Sequence, residues 1–205
     1  MIKRFLDLVL CTIVLTVLAP VLSLAILWIK LDSSGPVIFR QKRIGWHGRE
    51  FTILKLRTMR VAKPSGDPGP SITVGDDARV TRAGRFLRKW KLDELPQLLN
   101  VLKGEMSLVG PRPEVPRYVA MYPDELREII QSVRPGLTDL ASIVYRNESE
   151  ILAQVEDPES YYRDVVIPAK LKLCAKYVAN RSIWLDLRIL WQTFVAVGRG
   201  NTAIN

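Results

Sequence analysis

Histidine is nearly absent from this 205-residue sequence, in which His47 is the only example. It lies in the stretch GWHGRE, which is typical of a polar turn. Histidine is the side chain that titrates near neutral pH without a perturbed environment, so its scarcity argues against histidine-centred catalysis. Carboxylates and basic side chains must therefore carry any nucleophilic or acid–base chemistry.

Cysteine is almost as scarce. Cys11 lies inside an apolar run and Cys174 lies far along the chain. Neither a disulfide framework nor a metal-binding spacing is visible in two such distant residues. The pattern favours a reducing compartment.

Acidic residues are outnumbered by Lys and Arg, which leaves a formal net charge of +9 and a sequence pI near 9.8. Such an excess suits an anionic partner, which could be a phosphorylated substrate, an anionic membrane surface or nucleic acid. Nucleic-acid binders usually combine a basic stripe with several aromatic side chains or a known motif. The basic run 85–91 contains only Trp90 and Phe86 as aromatic residues, so we predict no nucleic-acid partner.

One long segment has no charge at all: residues 8–29, LVLCTIVLTVLAPVLSLAILWI. At about 1.5 Å per residue it is long enough to cross a bilayer core. Asp7 adjoins its start and would need a partner in an apolar setting. Pro20 removes a helical hydrogen bond near the middle, and Ser23 could satisfy a freed carbonyl group.

Basic residues flank this segment on both sides, with Lys3 and Arg4 before it and Lys30 after it. A spanning helix usually shows a charge asymmetry, because cytoplasmic loops collect Lys and Arg. Three interpretations stay open. A re-entrant helix that bends and returns to the same face fits the symmetry, whereas hydropathy alone favours an ordinary kinked span. A cleaved signal peptide is the weakest, since the apolar run exceeds the usual length.

The rest of the chain predicts a mostly helical α+β fold. Residues 36–59 read as two strands around a turn, residues 61–77 as a loop rich in Pro and Gly, and residues 78–91 as a basic helix. Periodic leucines predict a helix that ends before Gly104, and GPRPE and VRPGLTD are typical of rigid turns. The last helix has an apolar stripe for which core packing is the usual role, though it also suits a headgroup layer: Ile183, Trp184, Leu187, Leu190, Trp191 and Phe194.

Two adjacent carboxylates, Asp93 and Glu94, stand just before Pro96, which fits only the first turn of a helix. Spacing alone therefore favours a capping role for Asp93. The charge setting suggests more, because Arg88 and other basic residues lie upstream and Arg112 lies downstream between two prolines. This arrangement would concentrate phosphate beside carboxylates. Mg²⁺ is the metal that suits such a site, since one or two carboxylates and phosphate oxygens typically hold it.

Several long motifs resemble the bacterial sugar transferase family, the monotopic phosphoglycosyl transferases that act on polyprenol phosphate. They are LAP in the apolar segment, FRQKRIG, FTILKLRTM, DARVTRAGRFLRKWKLDELPQLLNVLKGEMSLVGPRPE, VRPGLTD and YVANRSIWLDLRIL. The resemblance covers nearly the whole chain. The long central block is the most specific part.

The resemblance implies that a nucleoside-diphosphate sugar, expected to be UDP-linked, donates its sugar-1-phosphate to polyprenol (undecaprenyl) phosphate and releases UMP. It implies a covalent intermediate with Asp93 as the nucleophile, Glu94 as its partner, and Mg²⁺ bound by both carboxylates. Phosphates are expected at Arg88, Arg112, Lys55 and Arg57. For Lys55 and Arg57, a solvated strand face is an equally good interpretation.

The resemblance also implies a re-entrant membrane helix, residues 1–30, broken at Ala19 and Pro20. Residues 31–205 would form a catalytic domain with amphipathic interfacial helices, on the cytoplasmic face of the bacterial inner membrane and in contact with its lipids. The product would start the assembly of a polysaccharide or other glycan. No residue identifies the sugar, the pathway or the oligomeric state.

Two residues depart from the family pattern. Asp139 stands where many relatives have Gly, and Cys174 stands where many have Asp. Both put the preference for the donor sugar in doubt, and neither is expected to affect Asp93, Glu94, Arg88 or Arg112. The alternative to an enzyme is a membrane-anchored basic protein that binds or scaffolds without catalysis, with Asp93 as a helix cap.

Overall fold

The computed structural model describes residues 2–61, 74–75 and 77–198. The helices of this part of the chain are α1 Ile2–Asp32, α2 Arg82–Lys89, α3 Gln97–Lys103, α4 Pro116–Val119, α5 Asp124–Gln131, α6 Leu140–Val144, α7 Glu148–Leu152, α8 Pro158–Tyr161, α9 Ile167–Asn180 and α10 Ile183–Gly198. The strands are β1 Ile38–Ile44, β2 Glu50–Leu56, β3 Ser107–Val109 and β4 Gly136–Thr138. Helix accounts for 61% of the structure, which confirms the predicted mostly helical α+β class. The predicted loop at 61–77 lies mostly outside the described residues.

Strands β1 and β2 form the predicted antiparallel hairpin, paired from Ile38 with Leu56 to Ile44 with Glu50. The turn between them is Trp46–Gly48, in which His47 adopts a left-handed conformation with φ 53°. The only histidine is therefore a turn residue, as its sequence setting indicates.

A second, parallel pair of strands was not predicted, because VRPGLTD reads as a turn and yet contains β4. Ser107 pairs with Gly136, and Val109 pairs with Thr138. Gly136 is required here, since a Cβ at this position would lie 2.1 Å from the backbone nitrogen of Gly110. The carboxyl ends of the two strands lie side by side and lead directly into Arg112 and Asp139.

The first turns of α1 are built into the folded domain. Asp7 is buried and accepts hydrogen bonds from the Ser107 hydroxyl at 2.8 Å and the Leu108 N–H at 3.3 Å. Arg4 donates to the carbonyl of Val101 at 2.7 Å, at the end of α3. The carboxylate next to the apolar run is thus partnered by protein, as an apolar setting requires.

The last turns of α1 pack on a different part of the same domain. Ala25 and Ile29 belong to a buried cluster with Leu56, Ala83 and Leu87, which come from β2 and α2. Between the two contacts, much of the helix surface is apolar and exposed. Among the described residues, α1 is the helix that is long and apolar enough to cross a membrane.

The backbone of α1 stays helical through Ala19 and Pro20. The Ser23 hydroxyl donates to the Ala19 carbonyl at 2.9 Å. We expected Ser23 to bind the carbonyl that Pro20 leaves without a partner. That carbonyl belongs to Thr16, four residues before Pro20, so Ser23 binds a different one. Back-bonding of this kind often bends a helix. The break at Ala19–Pro20 stays a prediction.

Helix α10 corrects the expectation that its apolar stripe packs in the core. Trp184, Trp191 and Phe194 are 82%, 66% and 71% exposed, while Ile189 is fully buried. Their exposure fits the other interpretation of the stripe, in which the aromatic side chains face a lipid headgroup layer.

Candidate active site

Asp93 and Glu94 lie in a 3₁₀ turn, Leu92–Glu94, which follows Lys91 in a left-handed conformation with φ 55°. Helix α3 begins only at Gln97, and its N-cap residue is Pro96, with no side-chain capping bond. The capping interpretation of Asp93 is therefore wrong. The chain turns sharply at Lys91, so the two carboxylates precede the helix instead of closing its first turn.

Glu94 is held by two cations from different elements. Lys55, near the end of β2, donates to Oε1 at 2.8 Å. Arg112 donates to Oε2 at 3.2 Å and makes a second, short bond to Oε1. Burial alone would raise the pKa of Glu94, but Arg112 and then Lys55 hold it well below its usual range. Glu94 is thus a permanent anion that fixes both cations in place.

Asp93 has the opposite environment. It is 7% exposed, and its Oδ1 is buried without a hydrogen-bond partner. Burial, and then the charge of Glu94, raise its pKa above the usual value for Asp, although Lys55, Lys91 and Arg88 act in the other direction. A buried oxygen without a donor is costly, and it is free to bind a metal ion or to form a bond with an electrophile.

Arg88 also lies beside the carboxylates. Its Nε donates to the Thr58 hydroxyl at 2.8 Å, and burial lowers its pKa while Asp93 supports its charge. Lys91 was noted in the sequence only as one of a basic run, yet its charge acts on both Glu94 and Asp93. The left-handed turn that directs Lys91 to the site is a backbone feature that composition could not reveal.

Arg57 lines the same cavity as these residues, but its guanidinium has other partners. Its guanidinium donates to the carbonyls of Ser34 at 2.7 Å and Ser33 at 2.6 Å, and to the Ser33 hydroxyl at 3.0 Å. These groups follow the end of α1, so Arg57 fastens that helix to β2. Lys55 binds Glu94 instead, so the two residues that the family resemblance placed together at phosphate have different partners.

The carboxylates face a large open cleft of about 2370 Å³. Its charged side includes Lys55, Arg88, Lys91 and Arg112 beside Asp93. Its apolar side is formed by one face of α1 and by α10, and includes Leu10, Val14, Leu18, Leu190, Phe194 and Val197. The cleft has room for a diphosphate next to Asp93 and for a hydrocarbon chain beside it.

Comparison with known proteins decides the family. The model of the family described as bacterial sugar transferase matches residues 1–200. The chain belongs to the bacterial sugar transferase family. This match includes α1, both carboxylates and the whole cleft described above.

Three proteins similar to this chain carry transferase names. The chain is 41% identical over 194 residues to a UDP-glucose:undecaprenyl-phosphate glucose-1-phosphate transferase of Caulobacter vibrioides, covering 93% of this chain and 67% of the relative. It is 36% identical over 200 residues to the protein of the same name from Escherichia coli, covering 94% and 39%. It is 38% identical over 192 residues to the uncharacterized sugar transferase EpsL of Bacillus subtilis, covering 93% and 84%. The chain therefore spans well under half the length of the Escherichia coli relative.

Asp93 and Glu94 differ in how well they would bind Mg²⁺. Within the described ranges no cluster of three or more metal-ligating residues occurs. Mg²⁺ needs only one or two carboxylates when phosphate oxygens complete its shell, and the unpartnered oxygen of Asp93 is such a ligand. Glu94 fits less well, because Lys55 and Arg112 already occupy its oxygens.

Proposed function

We propose that the protein transfers a sugar-1-phosphate from a UDP-linked sugar to undecaprenyl phosphate, with release of UMP. The observation that carries this proposal is the unpartnered, buried oxygen of Asp93 at the edge of a cationic, half-apolar cleft. The names of the relatives support the same donor and acceptor classes. UDP-glucose is the first donor to test, since the names of two of these relatives include it.

The reaction takes two displacements at one phosphorus atom. In the first, a carboxylate oxygen of Asp93 bonds to the phosphorus that carries the sugar, and the bond to the bridging oxygen breaks, so that its electron pair leaves with UMP. In the second, a phosphate oxygen of the polyprenol phosphate bonds to the same phosphorus and frees Asp93. Covalent catalysis of this kind divides one difficult displacement into two easier ones.

Charge repulsion is the main obstacle to the first displacement. Two like charges 4 Å apart repel by about 4 kcal/mol at an effective dielectric constant near 20. Arg112, Lys55, Arg88 and Lys91 surround the carboxylates and offset this repulsion, which is the larger part of catalysis in phosphoryl transfer. Bound Mg²⁺, held by Asp93 and the diphosphate, would add further neutralisation. Glu94 orients the cations and contributes to metal binding only if it releases one of them.

We also infer that α1 is re-entrant. Both of its ends contact the folded domain, the first through Asp7 and Arg4 and the last through Ala25 and Ile29. A helix that crossed a bilayer would leave one end on the opposite side from that domain. Residues 1–30 would thus dip into the cytoplasmic leaflet of the inner membrane, and residues 31–205 would lie on its cytoplasmic face. The apolar side of the cleft, between α1 and α10, would then admit the polyprenol chain directly from the lipid.

Mass spectrometry of the intact protein after brief exposure to UDP-glucose and Mg²⁺, without acceptor, tests the proposal. We expect a mass increase of one hexose phosphate, located on Asp93 by peptide mapping, and release of UMP. Asp93→Asn should give neither product while it stays folded. Asp124→Asn is the matched control, because Asp124 is an exposed carboxylate of α5 outside the cleft, and it should behave as the wild type.

The competing hypothesis is a basic protein that binds or scaffolds without catalysis. It predicts no adduct and no UMP from any of a panel of UDP-sugars, together with undiminished membrane binding by Asp93→Asn. UMP release by Asp93→Asn at the wild-type rate would show instead that another residue is the nucleophile.

A further inference from the structure

The two residues that depart from the family pattern in the sequence contact each other. The Cys174 thiol, on α9, donates to Oδ2 of Asp139 at 3.3 Å. Asp139 is fully buried and Cys174 is 7% exposed. Thirty-five residues separate them in the chain, so this contact could not be read from the sequence.

The same carboxylate also holds Arg112. Oδ2 of Asp139 accepts the backbone N–H of Arg112 at 3.1 Å, and Oδ1 accepts the N–H of Ser142 at 2.6 Å, where it caps α6. One buried carboxylate thus receives three donors, two from backbone and one from a thiol. A buried anion requires such donors, and here they join the Arg112 loop, α6 and α9.

This contact corrects the expectation that neither departure affects Arg112, and it adds a backbone bond to those that the Arg112 guanidinium makes with Glu94 and the Leu137 carbonyl. The backbone of Arg112 lies between Pro111 and Pro113, which can donate no hydrogen bonds. Burial, and then the charge of Asp139, raise the pKa of the Cys174 thiol, which keeps it protonated and able to donate. Cys174 therefore donates to the carboxylate, and the backbone N–H of Arg112 acts on the same thiol.

We propose that Asp139 is a positioning residue that holds Arg112 on the catalytic carboxylates, and that a carboxylate from position 174 can replace it. The contact distance supports the exchange: the sulfur lies 3.3 Å from the oxygen that binds Arg112. With glycine at position 139, a carboxylate in place of the thiol on α9 would thus reach the Arg112 N–H. The inference rests on the proposed function for its activity readout only.

The test is a double-mutant cycle with two readouts, kcat for UMP release and hydrogen exchange of the Arg112 backbone amide. Asp139→Gly should lower kcat about tenfold to a hundredfold, since misplacing a catalytic group by about 1 Å has effects of that size, and should speed exchange at Arg112. Cys174→Asp alone sets two carboxylates against each other and should also lower kcat. The doubly substituted protein should recover slow exchange and most of the wild-type kcat.

Two further variants exclude a merely structural effect. Asp157→Gly removes a similar cap, to the Ser160 N–H of α8. Asp157 does not line the cleft, so this variant should leave kcat and Arg112 exchange unchanged. Asp139→Asn keeps the size of the side chain but replaces one acceptor oxygen with a donor, so it serves if the glycine variant does not fold. It should speed exchange at Arg112.

Either of two results would overturn the inference: wild-type exchange at Arg112 in Asp139→Gly, or no recovery in the doubly substituted protein. Absence of UMP release by the wild type would instead refute the proposed function. The exchange rates would still decide the role of Asp139 in that case.

Discussion

Replacing Arg57 with glutamine should destabilise the protein without weakening donor binding. The sequence placed Arg57 among the phosphate-binding residues, whereas the structure directs its guanidinium to the chain that follows α1. The two assignments predict opposite outcomes. If Arg57 binds phosphate, its replacement should change the KM for the donor. If Arg57 holds α1 against β2, its replacement should change the melting temperature.

The size of the effect follows from the contacts of Arg57. Its two shortest hydrogen bonds, 2.6 Å and 2.7 Å long, join a charged donor to the carbonyls of Ser33 and Ser34. Hydrogen bonds to charged groups contribute about 1.5–3 kcal/mol each, so we expect a loss of roughly 3 kcal/mol, the lower end of the sum for two such bonds. In a protein of this size, 1 kcal/mol corresponds to about 2–4 °C, which gives a fall in Tm of roughly 6–12 °C.

The assay is thermal unfolding in detergent, followed by intrinsic tryptophan fluorescence, with KM for the UDP-sugar measured in parallel. Lys55→Gln is the matched control, because Lys55 is two residues away and contacts Glu94 instead. It should lower kcat with a smaller change in Tm, since Arg112 continues to neutralise Glu94. An unchanged Tm together with a tenfold rise in KM for Arg57→Gln would refute the reasoning and restore Arg57 to the site.

Three other predictions concern the site and the membrane. Glu94→Gln removes the charge that helps to raise the pKa of Asp93, so more Asp93 is ionised at acid pH. The acid limb of the kcat–pH profile should therefore move to lower pH. A move to higher pH would contradict the assignment. Removal of Mg²⁺ with EDTA should abolish UMP release, Mg²⁺ should restore it, and persistent release in EDTA would exclude the metal. Ile2→Cys and Leu31→Cys, both at exposed positions, should react with an impermeant maleimide from the same side of the membrane, whereas opposite sides would establish a span.

The sequence-based predictions succeeded where chemistry is local and failed where the chain changes direction. The hairpin and the mostly helical class followed from period and composition. Lys55 and Arg57 were both expected at phosphate because the family resemblance implied it, but the Arg57 guanidinium donates to the carbonyls of Ser33 and Ser34. The cap assigned to Asp93 assumed that α3 begins there, and the left-handed turn at Lys91 moves the helix start to Gln97.

Contacts between distant parts of the chain could not be predicted. The parallel pairing of β3 with β4 was hidden because each strand has only three residues, too few to show a period. The Asp139–Cys174 contact was invisible because 35 residues separate the two in the chain, although both were noted as departures. The exposure of Trp184 could not be separated from core packing, because the same apolar stripe serves either purpose.

The way α1 joins the domain has a consequence for biosynthesis. Asp7 binds the strand that begins a hundred residues later, and Lys3 donates to Asp186 at 2.5 Å, close to the other end of the chain. The apolar helix is synthesised before all of these partners, and its contact with Asp186 forms only when α10 has been made. A different hydrophobic anchor grafted onto residues 31–205 would therefore tether the polypeptide to the bilayer and leave its interior incomplete.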